Sequence, residues 1–470
     1  MSEPAPSRPE RLSLFRALRF SVVSVPLSAL GLAIAVSLPP YFASHRGVSL
    51  TVVGAAWFIT RMIDIPVDVL LALFMDRTKT AFGRYRVWFV AGTPIMLVAV
   101  YALFMAPYGF SSLYLISWLL IYYLGTSIVG LAHSAWAAKL APHYDDRSRL
   151  FGILSAVGVV GALASIGIPI VAPQLHIPPA ETVPTMGWFV LALYIPCALL
   201  VSFTPEPIEP DRPGEKFRMS DFIALFTKPD LLRMFLAQMC LTLGPGWMSA
   251  MYLFYFQGPR GFTQSQAYQL LGLYILAGII GAPLTARVAT RFGKHRTLMV
   301  TTTLYSLGLL SVIVLPPGAM LPAMIPMFFL GAFAAGFDLM IRAMLADVGD
   351  EVRLEQGRER ISLIYSVNTL AAKIAAAFSI VLSYPLLQRL GFDPAEGAHN
   401  TPQALHNLEL SYIIGPIVFV MLGGACVIGW RLDAARHGAI RAELEERDAL
   451  YAEAPVIESL EGPGTVIARD

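Results

Sequence analysis

Asp76-Arg77-Thr78-Lys79-Thr80-Ala81-Phe82-Gly83-Arg84-Tyr85-Arg86 and, much later in the chain, Ala289-Thr290-Arg291-Phe292-Gly293-Lys294-His295-Arg296 are two versions of one turn. Each is basic, holds a glycine and joins two long apolar runs. A single such turn follows from the excess of Lys and Arg in short loops on one side of a membrane. Its return six apolar runs later carries more: the chain repeats itself as two parallel halves of six helices.

The apolar runs around these turns fall at 20–43, 49–75, 87–107, 112–141, 150–173, 186–204, 231–257, 266–289, 297–316, 321–347, 360–389 and 409–431. Runs of about 20 residues match a hydrocarbon core of about 30 Å crossed at about 1.5 Å per residue. They show no alternation of period two, which argues against a barrel. Of 470 residues 56% are hydrophobic and 14% charged, and the mean hydropathy is +0.63, too apolar for a water-soluble fold. The expected fold class is an all-α polytopic membrane protein with twelve transmembrane helices in two pseudo-symmetric six-helix bundles, the major facilitator architecture, with a substrate cavity at the midplane between the halves.

The expected organisation is a cytoplasmic N-terminal segment 1–19, an N-terminal bundle 20–204, a cytoplasmic linker 205–230 rich in proline (Pro205, Pro207, Pro210, Pro213), a C-terminal bundle 231–431 and a cytoplasmic tail 432–470. The tail reads as a charged surface helix with a disordered end. Arg8, Arg11, Arg16 and Arg19 precede the first run and share a side with both basic turns, so both termini are expected in the cytoplasm of a bacterial-type inner membrane. The first run is expected to stay in the protein as a span. A net charge of +2 gives no reason to expect nucleic acid. Cys197, Cys240 and Cys426 lie in apolar runs without metal-ligand spacing and read as packing residues.

The informative side chains are charges inside apolar runs. Arg61, Asp64 and Asp68 lie in the second run, the two acids on one face at i,i+4, and Asp64 sits about 18 Å along the helix from Asp76, near mid-bilayer. An ionised carboxylate there costs at least ~2.5 kcal/mol, so it requires a partner cation, a proton or water. Two readings follow: an ion pair with Arg61, or a site for a coupling cation. Lys373 in the eleventh run is the other candidate partner. Asp338 and Arg342, also i,i+4, read either as a self-contained pair or as groups facing substrate. His133 reads as a proton-linked group or as an interhelical hydrogen bond. Trp136 and Trp247, away from run ends, read as packing or as platforms for a sugar ring.

Three segments resemble the glycoside-pentoside-hexuronide:cation symporter family, the melibiose permease-like branch of the major facilitator superfamily. They are Arg61-Met62-Ile63-Asp64-Ile65-Pro66-Val67-Asp68 with the turn 76–86 and Val87-Trp88, the loop Pro142-His143-Tyr144-Asp145-Asp146-Arg147-Ser148-Arg149-Leu150, and Arg342-Ala343-Met344-Leu345-Ala346-Asp347 with Tyr365-Ser366-Val367-Asn368-Thr369 and Lys373. Together they span both halves. The resemblance implies a cation site at Asp64, Asp68, Thr369 and Lys373, and a substrate site drawn from Ser28, Arg61, His133, Ser134, Trp136, Asp338, Arg342, Tyr365 and Asn368. Departures matter equally. Val69, not proline, follows Asp68. Ser28 stands where such permeases place a sugar-binding aspartate, Gly130 where the sodium-coupled member adds a carboxylate, and Ile153-Leu154-Ser155 where a sugar-binding arginine falls.

The expected function is symport of a small polar solute, a sugar or glycoside, by alternating access, with a coupling proton or sodium ion and no other cofactor. The absent fourth-helix carboxylate favours protons. The alternative is an amphipathic or lysolipid-like substrate in the same fold. No nucleophile with a base, metal spacing or nucleotide loop marks an enzyme. The expected partners are a small molecule and the lipid bilayer, with the monomer as functional unit.

Overall fold

A computed structural model of the chain describes residues 13–141, 144–206, 225–356 and 360–460. Arg8, Arg11, Pro142, His143, most of the expected linker and the last ten residues therefore lie outside the described residues. What is described is helical, with no strand among the described residues.

Twelve long helices run in order: α1 (Leu14–His45), α2 (Leu50–Arg77), α3 (Tyr85–Phe104), α4 (Ser112–Leu140), α5 (Tyr144–Val171), α6 (Pro179–Ser202), α7 (Pro229–Gln257), α8 (Gln264–Phe292), α9 (Lys294–Ser311), α10 (Met320–Gln356), α11 (Ile361–Arg389) and α12 (Pro402–Ala425). A thirteenth helix, α13 (Ala434–Leu460), follows. Ten of them meet a simple test of length and apolarity for a membrane span, and α2 and α7 complete the set of twelve. α1 carries a π-helical turn at Ala33–Ser37, just before Pro39 and Pro40. Prolines lack the N–H that an α-helical ladder needs, and a wider turn absorbs the loss.

The packing repeats. α1 lies on α5 as α7 lies on α11; α2 on α4 as α8 on α10; α3 on α4 as α9 on α10; α1 on α6 as α7 on α12. Between halves, α2 meets α11 and α5 meets α8, two seams that exchange when every helix number moves by six, and α1 meets α7 between them. The two basic turns are equivalent in backbone as well: Gly83 and Gly293 both take positive φ, 108° and 89°, where a side chain would strain the turn.

Within each half, helices approach at glycines. A Cβ on Gly161 of α5 would strike the Val25 backbone of α1, and one on Gly331 of α10 would strike the Tyr274 carbonyl of α8. In a bilayer this close packing replaces the hydrophobic force that holds helices together in water.

Toward the end formed by the turns 46–49 and 390–401 the halves are joined. Thr51 donates from its backbone N and its Oγ1 to Gln388 Oε1 at 2.9 and 2.8 Å, and the Glu396 N–H donates to the Ser44 carbonyl at 3.1 Å. His45 Nδ1 lies 2.9 Å from Glu396 Oε2, Tyr268 donates to Ser37 Oγ at 2.7 Å, and Ser265 donates to the Ile170 carbonyl at 2.9 Å. Phe58 and Phe378 meet edge to face at 5.0 Å on the α2–α11 seam.

Three expected boundaries are corrected. α6 starts at Pro179 rather than 186, because Pro179 and Glu181 are favourable first-turn residues that an apolar run does not reveal. α10 continues to Gln356 instead of stopping at 347. There its charged residues meet α13: His437 Nε2 lies 3.0 Å from Asp350 Oδ2, Arg353 pairs with Asp448 at 2.9 Å, and Ile440 and Leu444 are buried. α12 spans Pro402–Ala425 rather than 409–431, since the chain turns at Gly429 with φ 69° although Val427 and Ile428 are apolar.

Gly331→Val is expected to force α8 and α10 apart and to cost about 1–3 kcal/mol, as overpacking does. Gly167→Ala, where an added Cβ meets nothing within 4 Å, serves as control. Thermal unfolding in detergent should fall clearly for the first variant and stay unchanged for the second; equal values would remove close packing as the cause.

Candidate transport site

Ser49 caps α2, its side chain accepting from the Val52 N–H at 3.3 Å. The helix then runs without a break to Arg77, carrying Pro66 between its two acids. The proline removes one N–H and so frees a backbone carbonyl near the carboxylates.

The Asp64 side chain is fully enclosed. Its Oδ2 accepts from Arg61 Nη1 at 3.1 Å and from Lys373 Nζ at 3.4 Å, and its Oδ1 accepts from Ser127 Oγ at 2.9 Å. The Arg61 guanidinium also lies over the Tyr123 ring, 4.4 Å from its centre. Lys373 pairs with Asp68 as well, while Asp68 Oδ1 is buried without a hydrogen-bond partner among the described residues. Two carboxylates and two cations thus compensate one another. Arg61 comes from the acids' own helix and Lys373 from the opposite half, so two ion pairs, both made by Lys373, cross the α2–α11 seam.

The other expected cation-site residue, Thr369, shares the Lys373 side of α11 one turn away, but its hydroxyl donates to the Tyr365 carbonyl at 3.0 Å and does not join the cluster. Asn368 is buried against α7, its amide donating to Gln238 Oε1 at 3.2 Å while its Oδ1 has no partner among the described residues.

Arg342 Nε donates to Asp338 Oδ2 at 2.6 Å, and both side chains are more than half exposed, 62% and 54%. Exposure alone does not separate lipid from water, but helix phase does. The outward apolar residues Ile325 and Phe329 of the same helix lie thirteen positions before Asp338 and Arg342 respectively. At 100° per residue the polar pair points about 140° away from that stripe, inward. Tyr365 of α11 closes the group by donating to the Arg342 carbonyl at 3.1 Å.

On the N-terminal half, α1, α4 and α5 border an open hollow of about 430 Å³ whose lining includes Ser28, His133, Ser134, Phe151, Ser155 and Gly158. Three expected substrate residues, Ser28, His133 and Ser134, therefore come together. His133 is nonetheless largely buried: its Nε2 lies 3.1 Å from the Phe20 carbonyl and its ring stacks on Phe20 at 4.4 Å. Trp136 is a correction. It is fully buried, edge-on to Phe20 at 5.2 Å and Phe89 at 6.1 Å, so its ring fills the core and cannot stack on a solute. Trp247 is likewise a packing residue, bonded to the Ser411 carbonyl at 2.9 Å. A larger cavity of about 630 Å³, lined by Tyr41, His45, Asp393 and Glu396 among others, lies at the joined end, away from the carboxylates.

Sequence reasoning missed Ser127, Phe151 and Ser155. Ser127, Gly130 and Ser134 recur at i, i+3 and i+7, a small polar stripe in an otherwise apolar helix, and that spacing was the available signal.

A bundle of two equivalent halves with a charge cluster on one seam is the major facilitator fold of a multi-pass membrane transporter. The chain belongs to the glycoside-pentoside-hexuronide:cation symporter family: the family profile described as MFS/sugar transport protein matches residues 19–434. Among curated relatives, an isoprimeverose transporter of Lactiplantibacillus pentosus is 22% identical over 87% of this chain and 86% of its own length. A sodium-dependent lysophosphatidylcholine symporter 1-B of Danio rerio is 22% identical over 93% and 90%. Among solved structures, an aspartate-to-alanine mutant of the nucleoside transporter NupG superposes with a TM-score of 0.68 at 12% identity, covering 88% of this chain and all of that one; at this identity the likeness shows the fold alone. Family and relatives point to transport rather than to an enzyme.

Lys373→Met leaves Asp68 without its cation. It is expected to destabilise the protein by about 1–3 kcal/mol, less than the 3–5 kcal/mol of a fully enclosed pair because Lys373 is 27% exposed. Adding Asp68→Asn should restore most of the loss in thermal unfolding; a double variant no more stable than the single one would mean that the two charges are not coupled.

Proposed function

We propose that this protein is a proton-coupled symporter of a small uncharged solute, a sugar or glycoside, working by alternating access. One observation carries the reading: Lys373 reaches from α11 across the seam to both Asp64 and Asp68 of α2. With the acids ionised, that bridge holds the halves together at mid-membrane. A proton on Asp68 removes its charge, weakens the bridge and leaves the seam free to rearrange around bound solute. Sodium could compete with Lys373 for the same oxygens, but α4 supports the site with Ser127 and offers no further carboxylate at Gly130. Asp64 and Asp68 are the coupling groups, Lys373 the competing cation and Arg61 the permanent counter-ion; Ser28, Ser134, Asp338, Arg342 and Tyr365 face the solute. The two basic turns face the cytoplasm together with both termini, so the joined end is the outer one and the solute path opens inward. The protein acts as a monomer in a bacterial-type inner membrane, and the coupling ion is its only cofactor.

A second reading, an amphipathic or lysolipid-like substrate, draws on the apolar share of the cavity wall, Leu27, Leu154, Val159 and Ala162.

In proteoliposomes, Asp64→Asn and Asp68→Asn should each abolish uphill accumulation while sparing exchange, because neutral Asn imitates the protonated acid in charge. Wild-type uptake should follow an inward pH gradient and ignore replacement of sodium by potassium. Strict sodium dependence would overturn the choice of ion, and full accumulation by the double Asn variant would remove the aspartates from coupling.

A further inference from the structure

The polar contacts that join the halves at the end formed by the turns 46–49 and 390–401 are mostly made by neutral groups. Thr51 meets Gln388, the Glu396 N–H meets the Ser44 carbonyl, Tyr268 meets Ser37 and Ser265 meets the Ile170 carbonyl. One contact differs: the His45 imidazole faces the Glu396 carboxylate, Nδ1 to Oε2 at 2.9 Å. Of these contacts only this one changes character with pH, because an imidazole is the side chain that gains and loses charge between about pH 5 and 8. Neutral His45 offers Glu396 a hydrogen bond, and protonated His45 offers it an ion pair.

The surroundings let protons reach this pair and leave it few rivals. His45 stands in the last turn of α1 and lines the cavity of about 630 Å³ at the joined end. α1 itself supplies Tyr41, whose ring lies 5.7 Å from that of His45, and the adjacent Arg46, whose guanidinium is drawn over the rings of Tyr41 and Tyr108 at 5.1 and 4.1 Å. The turn 390–401 supplies Asp393, Glu396 and His399, and α8 supplies Tyr268. Among the described residues α2, α6 and α7, which pack on the same stretch of α1, bring no titratable side chain to the lining. The Glu396 side chain is 59% exposed against 14% for His45, so solvent screens the pair and its strength amounts to a few-fold in an equilibrium. Leu50, at the same end, precedes Asp64 by fourteen residues, about 21 Å of helix, so the pair is remote from the seam carboxylates.

We propose that His45 and Glu396 form a proton-dependent latch on the outer gate, held more firmly shut when the outside is acidic. The inference rests on the reading of the joined end as the outer one and goes further, because it gives protons a second point of action, on the gate itself rather than on Asp64 and Asp68. The sign follows from the geometry. Protonation of His45 strengthens a contact that exists only while the halves meet, so by linkage an outside proton favours closure and its loss favours opening. The acidity that loads the seam carboxylates then also helps the gate close behind the solute.

The test uses the full-length protein with Cys197, Cys240 and Cys426 replaced by alanine and spin labels on Ser112→Cys and Gln403→Cys, at the joined ends of the two halves. It is placed in proteoliposomes of uniform orientation whose external and internal pH are set separately, and the label distance reports whether that end is open. Raising the external pH from about 5.5 to about 8 should increase the open population about two- to fivefold, the range of a partly exposed ion pair, and the same change inside should not. His45→Gln and Glu396→Gln, which keep hydrogen-bonding groups without a titrating pair, should each flatten the response. His45→Lys should hold the low-pH population at both values, and exchanging the pair, His45→Glu with Glu396→His, should restore the wild-type response. A population indifferent to pH on either side overturns the inference. So does a response that survives in His45→Gln, since it would belong to Asp393, His399 or the seam carboxylates. A response to internal pH alone, flattened by His45→Gln, would overturn the orientation of the protein rather than the latch.

Discussion

An ionised carboxylate inside a membrane protein has to be answered by a cation, and the rest of this structure is arranged around that requirement. Asp64 is wholly enclosed and Asp68 nearly so. Neither could persist as an anion without Arg61 and Lys373, because desolvation at depth exceeds what isolated charges recover. The division of labour between the two cations follows from their addresses. Arg61 stands one turn from Asp64 on the same helix, so it travels with the acids wherever α2 goes. Lys373 stands on another half of the molecule, so its pairing depends on how the halves are set.

The packing makes that dependence mechanical. Glycine contacts such as Gly161 on Val25 and Gly331 on Tyr274 lock helices within each half at backbone distance, and close-packed units move as bodies rather than deform. Relative motion is therefore left to the seams α2–α11 and α5–α8. The charge cluster lies on the first of these, so the contact between the halves there carries buried charge on both sides.

Much of the fold was legible in the sequence. Hydrophobic runs marked the twelve helices, and the paired basic turns announced the repeat that the glycine conformations at Gly83 and Gly293 repeat in backbone. The seam ion pair was legible too, because Asp64, Asp68 and Lys373 are expensive residues in apolar runs. What stayed hidden depended on rotation about a helix axis. Trp136 and Ser134 are two positions apart, yet one faces the core and the other the cavity, and no run of apolar letters distinguishes them. Serines are equally ambiguous, since bonding to their own helix and facing a ligand leave the same letter in the sequence. The extension of α10 past Asp347 escaped for a different reason: its stability comes from α13, whose docking is a tertiary fact.

Near the surface the joined end is held by His45, Thr51, Gln388 and Glu396, in hydrogen bonds worth about 0.5–1.5 kcal/mol each, and from within by the buried Tyr268–Ser37 bond and the packing of α1 on α7. Glu396 is the meeting point of the surface part, its carboxylate beside His45 and its N–H on the Ser44 carbonyl, so the turn 390–401 is tied to the other half by both backbone and side chain. The halves are thus tied at two separate levels, by neutral and ionic contacts at one end and by Lys373 with Asp64 and Asp68 within the bundle.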